Sequence, residues 1–144
     1  MSSYKYNPIS SNLDISDTDT ATAVGWKFAK FNLRTTNGAG GTIFSIALPE
    51  LAVMFLEVVL KAKLEGSDEY YVELITYRAY NPAGGNVINM SGATTSLSEN
   101  FTVNPTRAVA TTSTLFVLNV GSGGVLQNVN WEAIIRYHIT QFNI

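Results

Sequence analysis

His138 is the only histidine in the chain, and any hydrolytic triad would have to be built around it. A triad needs a nucleophile, a histidine and an orienting carboxylate held together. Nothing in the local sequence marks such a group. His138 shares its alternate positions with Asn130 and Arg136, on a face turned to solvent or to a subunit partner. One histidine and no cysteine also argue against a transition-metal site, and exclude disulfides and thiolate chemistry.

The carboxylates fall into two groups. Asp14, Asp17 and Asp19 are close in sequence, but a calcium loop wants ligands at alternating positions, a glycine at the sharp turn and a terminal glutamate. Ile15 and Thr18 fall between these acids, and neither glycine nor glutamate follows at the right distance. A solvated acidic segment is the expectation. Glu65, Asp68, Glu69 and Glu73 could supply a glycosidase pair only if two of them flanked a cleft about 5–10 Å across. Acids around a hairpin turn serve solubility, so cleavage through Glu69 or Glu73 ranks last among the functional readings. The chain is read as a non-enzyme, with no catalytic residue, no metal and no cofactor expected.

The glycine clusters Gly38-Ala39-Gly40-Gly41 and Gly121-Ser122-Gly123-Gly124 lack the helix that a phosphate cradle needs behind it, and are read as turns. Asn89-Met90-Ser91 and Asn100-Phe101-Thr102 match the glycosylation sequon, a motif common by chance. Tyr70, Tyr71, Tyr77 and Tyr80 form a tyrosine-rich run. Such residues pack cores and interfaces, and also stack on the C–H face of sugar rings.

These groups sit in a chain of low charge. Charged residues make up 14% and net charge is -2, with Ser, Thr, Asn and Gly filling the shortfall. No basic excess is present to neutralise phosphates or a membrane surface, so neither nucleic acid nor membrane is an expected partner. The N-terminal stretch lacks the basic and apolar regions of a secretory signal. The apolar run Leu51 to Leu60 is interrupted by Glu57 and is too short to span a bilayer.

The elements that must position these side chains are strands. Trp26 to Thr35 reads as a strand with a bulge at Ala29–Lys30, where alternation breaks. Thr42 to Leu48 is a second strand, closed by Pro49. Residues 50–65 contain good helix formers, and Leu51, Met54, Phe55, Val58 and Ala62 would line a helical face. Leu56, Val58, Leu60, Ala62 and Leu64 also alternate with mostly charged residues, and strand is the reading taken. Tyr70 to Tyr80, Val87 to Met90, Arg107 to Thr111 and Thr114 to Val120 follow as strands. Thr94 to Phe101 is a loop or an edge strand. The last strand turns Trp131, Ala133, Ile135, Tyr137 and Ile139 to one side. About eight strands with regular turn signals predict an all-β, jelly-roll-like sandwich over residues 25–144. Residues 1–24 are polar, with Tyr4, Tyr6, Ile9 and Leu13 as anchors, and read as an extended docking arm. The expected core includes Trp26, Leu56, Val58, Leu60, Trp131 and Ile135.

Two stretches resemble phage virion structural proteins. Tyr6-Asn7-Pro8-Ile9-Ser10-Ser11-Asn12-Leu13-Asp14 resembles the aromatic-Asn-Pro-…-Leu-Asp segment of many such proteins. Ile43 to Phe142 is similar to the small β-domain at the ends of phage tail fibres and spikes. That likeness rests on Leu48-Pro49, the strand Leu56 to Lys63, Asn81-Pro82-Ala83-Gly84-Gly85-Asn86-Val87, and the closing Asn130-Trp131-Glu132-Ala133-Ile134-Ile135. The resemblance implies a jelly-roll-like sandwich, commonly trimeric, that serves in virion attachment or receptor binding, with no fixed catalytic residues. The length fits a compact head fibre, decoration protein or tail-tip piece. The expected partners are further copies of the chain in a homotrimer, another virion protein bound through residues 1–20, and, in the alternative reading, a host surface glycan or receptor. Tyr77, Tyr80, Asn81, Asn86, Gln127 and Asn128 are the expected contacts, in loops 81–86 and 121–128 or beside them.

Overall fold

The computed structural model describes the backbone of residues 2–7, 12–17, 25–90, 94–100, 105–122 and 126–142, and the side chains of 25–90, 105–122 and 126–142. All of its regular elements are strands. β1 (Ser2–Asn7) and β2 (Asn12–Asp17) form an antiparallel sheet of their own, with Tyr4 opposite Ile15 and Tyr6 opposite Leu13. The sequence reading takes residues 1–24 as an extended docking arm and does not identify these two strands. Their polar composition masks a period of two that Tyr4 and Tyr6 share with Leu13 and Ile15.

The remaining strands build two facing antiparallel sheets. They are β3 (Lys27–Thr35), β4 (Gly41–Ala47), β5 (Ala52–Leu64), β6 (Tyr70–Tyr80), β7 (Ile88–Asn89), β8 (Thr94–Asn100), β9 (Thr106–Thr111), β10 (Leu115–Gly121) and β11 (Val129–Gln141). The larger sheet runs β3-β11-β5-β6, and β7 and β8 share the far side of β6, one at each end. The smaller sheet runs β4-β10-β9. The chain changes sheets between β3 and β4, β4 and β5, β8 and β9, and β10 and β11, which is the wrapping of a jelly roll. β5–β6 and β9–β10 are instead hairpins within one sheet.

β5 and β11 form the axis of the larger sheet and pair along their whole length, Val129 with Leu64 through Gln141 with Ala52. Residues 50–65 are therefore a strand beyond their opening turn. Ala52, Met54, Leu56, Val58, Leu60, Ala62 and Leu64 are all buried, every second residue, a pattern no helix produces. Each large aliphatic side chain so buried stabilises the fold by about 1.5–3 kcal/mol. Trp131 and Ile135 on β11 close the same core, and the Trp131 indole N–H donates to Thr35 Oγ1 at 2.9 Å.

Contacts between the sheets lock their relative position. Phe31 of β3 meets Phe44 of β4 with ring centroids 5.6 Å apart, and Tyr77 of β6 meets Phe116 of β10 at 5.4 Å. On the β6 side Arg107 of β9 reaches Glu73 of β6, with Nη2 to Oε1 at 2.6 Å. The glycine clusters do more than turn the chain. A Cβ at Gly121 would lie 2.9 Å from Thr106 Oγ1, and one at Gly40 would lie 3.1 Å from the Val120 carbonyl oxygen. The start of β4 and the end of β10 approach each other backbone to backbone, which only glycine permits.

Two sequence expectations for β3 are corrected here. The β3–β11 ladder runs from Thr35–Val129 to Lys27–Tyr137 with no shift of register, so there is no bulge at Ala29–Lys30. The inward set is Ala29, Phe31, Leu33 and Thr35, in strict period two. Trp26 and Phe28 fall on the opposite phase, so Trp26 is not a core residue; it is 43% exposed.

Candidate functional site

The outer face of the larger sheet is set by the same alternation that fills the core. Register aligns its residues into rows across β3, β11, β5 and β6. One end carries Arg34–Asn130–Lys63–Tyr70, then Asn32–Glu132–Lys61–Val72. The middle row is Lys30–Ile134–Val59–Leu74. The other end carries Phe28–Arg136–Glu57–Thr76, then His138–Phe55–Arg78, then Thr140–Val53–Tyr80.

The second end is aromatic and open. Phe28 is 73% exposed and Phe55 36%, with Val53 and Ile134 also exposed. Trp26 stands beside Phe55 edge-on at 5.9 Å and tilts toward His138 at 6.1 Å. The Arg136 guanidinium lies over the Trp26 ring, 4.8 Å from its centroid, and its Nε donates to Glu57 Oε2. That bond holds the Glu57 carboxyl below its usual range and raises Arg136. Phe28, Val59, Leu74 and Ile134 line a shallow hollow of about 140 Å³ beside this pair. The Arg136 and Glu57 charges are neutralised in place, while Arg78 at the β6 edge is exposed and forms no ion pair among the described residues.

The first end is polar. Arg34 bridges Glu65 through two nitrogens, at 2.5 and 2.8 Å, and Asn130 Nδ2 donates to the same carboxylate at 3.2 Å. The Arg34 bond first, then one from Asn128 and that from Asn130, lower the Glu65 carboxyl to about 2 against a smaller rise from burial. Glu132 takes Lys30 at 3.1 Å and Lys61 at 3.4 Å, and its carboxyl is held low chiefly by the Lys30 bond. Asn32, Lys61, Lys63, Tyr70, Asn130 and Glu132 surround an open cup of about 370 Å³, with the edge of Trp131 in its lining.

The structure separates the residues that the sequence offered as distal contacts. Tyr77 is not at the surface: it is 7% exposed, packed on Phe116, and burial pushes its hydroxyl up to about 12, with Arg107 pulling down and Glu73 pushing up by smaller amounts. Asn81 is also buried. Its Nδ2 donates to the Leu48 carbonyl at 2.6 Å and to the Ser113 carbonyl at 3.1 Å, clasping the turn before β5 to the β9–β10 turn. A side chain committed to two carbonyls across the fold is not available to a receptor. Tyr80 is half-buried, and Asn86 and Gln127 are exposed. Asn128 is half-buried and ties turns together: its Oδ1 accepts from the Asn37 amide at 3.2 Å and its carbonyl accepts from the Glu65 amide at 3.0 Å. Loop 81–86 lies at the Ala52 end of β5 and the 126–128 segment at the Leu64 end. At about 3.3 Å per residue, a strand of that length holds them on the order of 40 Å apart, so they do not form one contact surface.

Of the candidate carboxylates, Glu73 is 1% exposed and paired with Arg107 inside the sandwich, and Glu69 is engaged with Ser67 in the β5–β6 turn. Asp14 and Asp17 lie on β2, while Asp19 and the anchor Ile9 lie outside the described residues. Sequence reasoning missed Trp26, Phe28 and Phe55 as surface residues. The signal was present in the phase of β3, where Phe28 shares its parity with Lys30, Asn32 and Arg34.

Fold and face define a jelly-roll-like, two-sheet β-sandwich with one amphipathic outer surface. No protein-family model matches the chain, and no curated protein matches its sequence. Among solved structures the chain is similar to the Acinetobacter baumannii phage AM24 tailspike protein, with a TM-score of 0.47 and 12% identity over 82% of this chain and 26% of that one. The chain thus spans about a quarter of that protein's length.

Proposed function

We propose that the chain is a non-enzymatic structural module of a phage particle, a fibre, spike or decoration unit that assembles as a homotrimer through the aromatic end of its larger sheet. The observation that carries this reading is the contiguous group Trp26, Phe28, Val53, Phe55 and Ile134 on one exposed sheet face. Monomeric proteins rarely leave such rings grouped in water, and their burial between copies is the favourable term in association. The neutralised pair beside the rings, Arg136 with Glu57, lowers the desolvation cost of covering them. The resemblance of the Asn81 to Val87 and Asn130 to Ile135 stretches to phage fibre and spike domains supports the same assignment.

In this reading residues 1–20 attach the module to another virion protein. A two-stranded ribbon such as β1–β2 is marginal in water by itself and gains stability by docking. Deleting residues 1–20 should leave the sandwich folded and abolish incorporation into particles; a truncated chain that still joins particles would refute the attachment role. Self-association is tested with Phe28→Ser combined with Phe55→Ser, which should give a folded monomer. Recognition of a host glycan is the second reading, favoured by Tyr70, which is 43% exposed, among the polar residues of the cup.

A further inference from the structure

We infer that the cup at the polar end of the larger sheet is a binding site for a pyranose sugar that carries a carboxylate. The inference deepens the glycan-recognition reading and stands apart from self-association, which belongs to the opposite end of the face.

The argument starts from what the cup offers. Tyr70, a residue 43% exposed, stands in its lining. An aromatic face is complementary to the C–H face of a pyranose. Across the cup, Glu132 is a fixed acceptor. Lys30 and Lys61 hold it charged, and its oxygens lie where ring hydroxyls can donate. Asn32 and Asn130 add amide donors and acceptors on the β3 and β11 side. A ring platform with polar groups opposite it is what a sugar requires, and about 370 Å³ of open space accommodates one to two rings.

The charge selects the class of sugar. Most cations of this face are already committed: Arg34 to Glu65, Lys30 and Lys61 to Glu132. Among the cations that line the cup, Lys63 is the exception. It lines the cup between Asn130 and Tyr70 in the same row and forms no ion pair among the described residues. An uncommitted ammonium beside an aromatic ring favours a ligand with a negative charge on the edge of an apolar ring face. A neutral sugar would leave that charge unused, and a flexible acidic peptide would leave the ring unused.

Isotope-labelled full-length protein would be titrated by NMR with hyaluronan, alginate, polygalacturonate and sialyllactose fragments, against maltotetraose, dextran and poly-glutamate. At least one acidic sugar should shift the amides of Asn32, Lys61, Lys63, Tyr70 and Asn130, with maltotetraose and dextran at least about tenfold weaker. Lys63→Met should remove the preference for acidic over neutral sugars, and Tyr70→Ala should weaken binding about tenfold with the fold retained. Phe28→Ser with Phe55→Ser should leave binding unchanged, so a failure of the trimer reading does not touch this one. Silence from every acidic sugar, equal binding of poly-glutamate, or shifts confined to the Phe28–Phe55 end would each overturn the assignment.

Discussion

Replacing Arg107 by methionine keeps most of the side chain's volume and removes its charge, which strands Glu73 inside the sandwich. Glu73 is 1% exposed, its Oε1 is bound by Arg107 at 2.6 Å, and its Oε2 has no hydrogen-bond partner among the described residues. Breaking a buried ion pair from one side costs about 3–5 kcal/mol, because the remaining charge is uncompensated. The Arg107 side chain is itself 31% exposed, so water can follow into the space it leaves, and the lower end, about 3 kcal/mol, is expected. The double variant Glu73→Leu with Arg107→Met leaves no stranded charge and should recover to within about 1 kcal/mol of the parent. Urea unfolding at neutral pH, followed by tryptophan fluorescence from Trp131, measures all of these. A single-variant loss below about 1 kcal/mol would show that Glu73 is solvated and that the pair does not tie the sheets together.

Other consequences follow from the same geometry. Asn81→Ala removes two bonds to backbone carbonyls and should destabilise by about 2–3 kcal/mol, read by thermal unfolding; an unchanged midpoint would mean the clasp is not formed. Trp131→Phe deletes the indole donor to Thr35 and should cost about 1–3 kcal/mol in the same assay. Glu57, Glu65 and Glu132 have carboxyls lowered by their basic partners, so their contribution is present above about pH 4.5 and is lost as pH falls toward 2. Because these pairs are exposed, the acid loss should be small and should shrink further in high salt, which unfolding curves at two ionic strengths would reveal. Tyr77 is raised, so the sign reverses: its contribution holds below pH 10 and is lost as pH rises toward 12. Absorbance titration should show one tyrosine ionising late, and Tyr77→Phe should remove that step.

Much of the sandwich was legible because its strands obey a period of two over long runs. β5 illustrates this: its helix formers competed with an alternation from Leu56 to Leu64, and pairing on both edges let the alternation win. Trp26 shows where hydrophobicity misleads. A large ring at a strand start looks like core, yet its parity with Phe28 and Lys30 puts it outside, and the small Ala29 takes the inward position. Asn81 was misread for a different reason. Asn-Pro signals a loop, and nothing local reveals that the amide bridges two carbonyls distant in sequence. Glu73 is similar, since its burial depends on Arg107 from another sheet. The two halves of the outer face emerge only when β3, β11, β5 and β6 are placed side by side, because no single strand contains either.

The central claim is that the aromatic end of the larger sheet joins copies of this chain. Light scattering of the full-length protein, with and without Phe28→Ser and Phe55→Ser, tests it most directly. The account predicts a parent mass three times that of the 15.6 kDa chain and a folded variant at the monomer mass. A parent that stays monomeric across the working concentration range, or a trimer that the double substitution leaves intact, would contradict it.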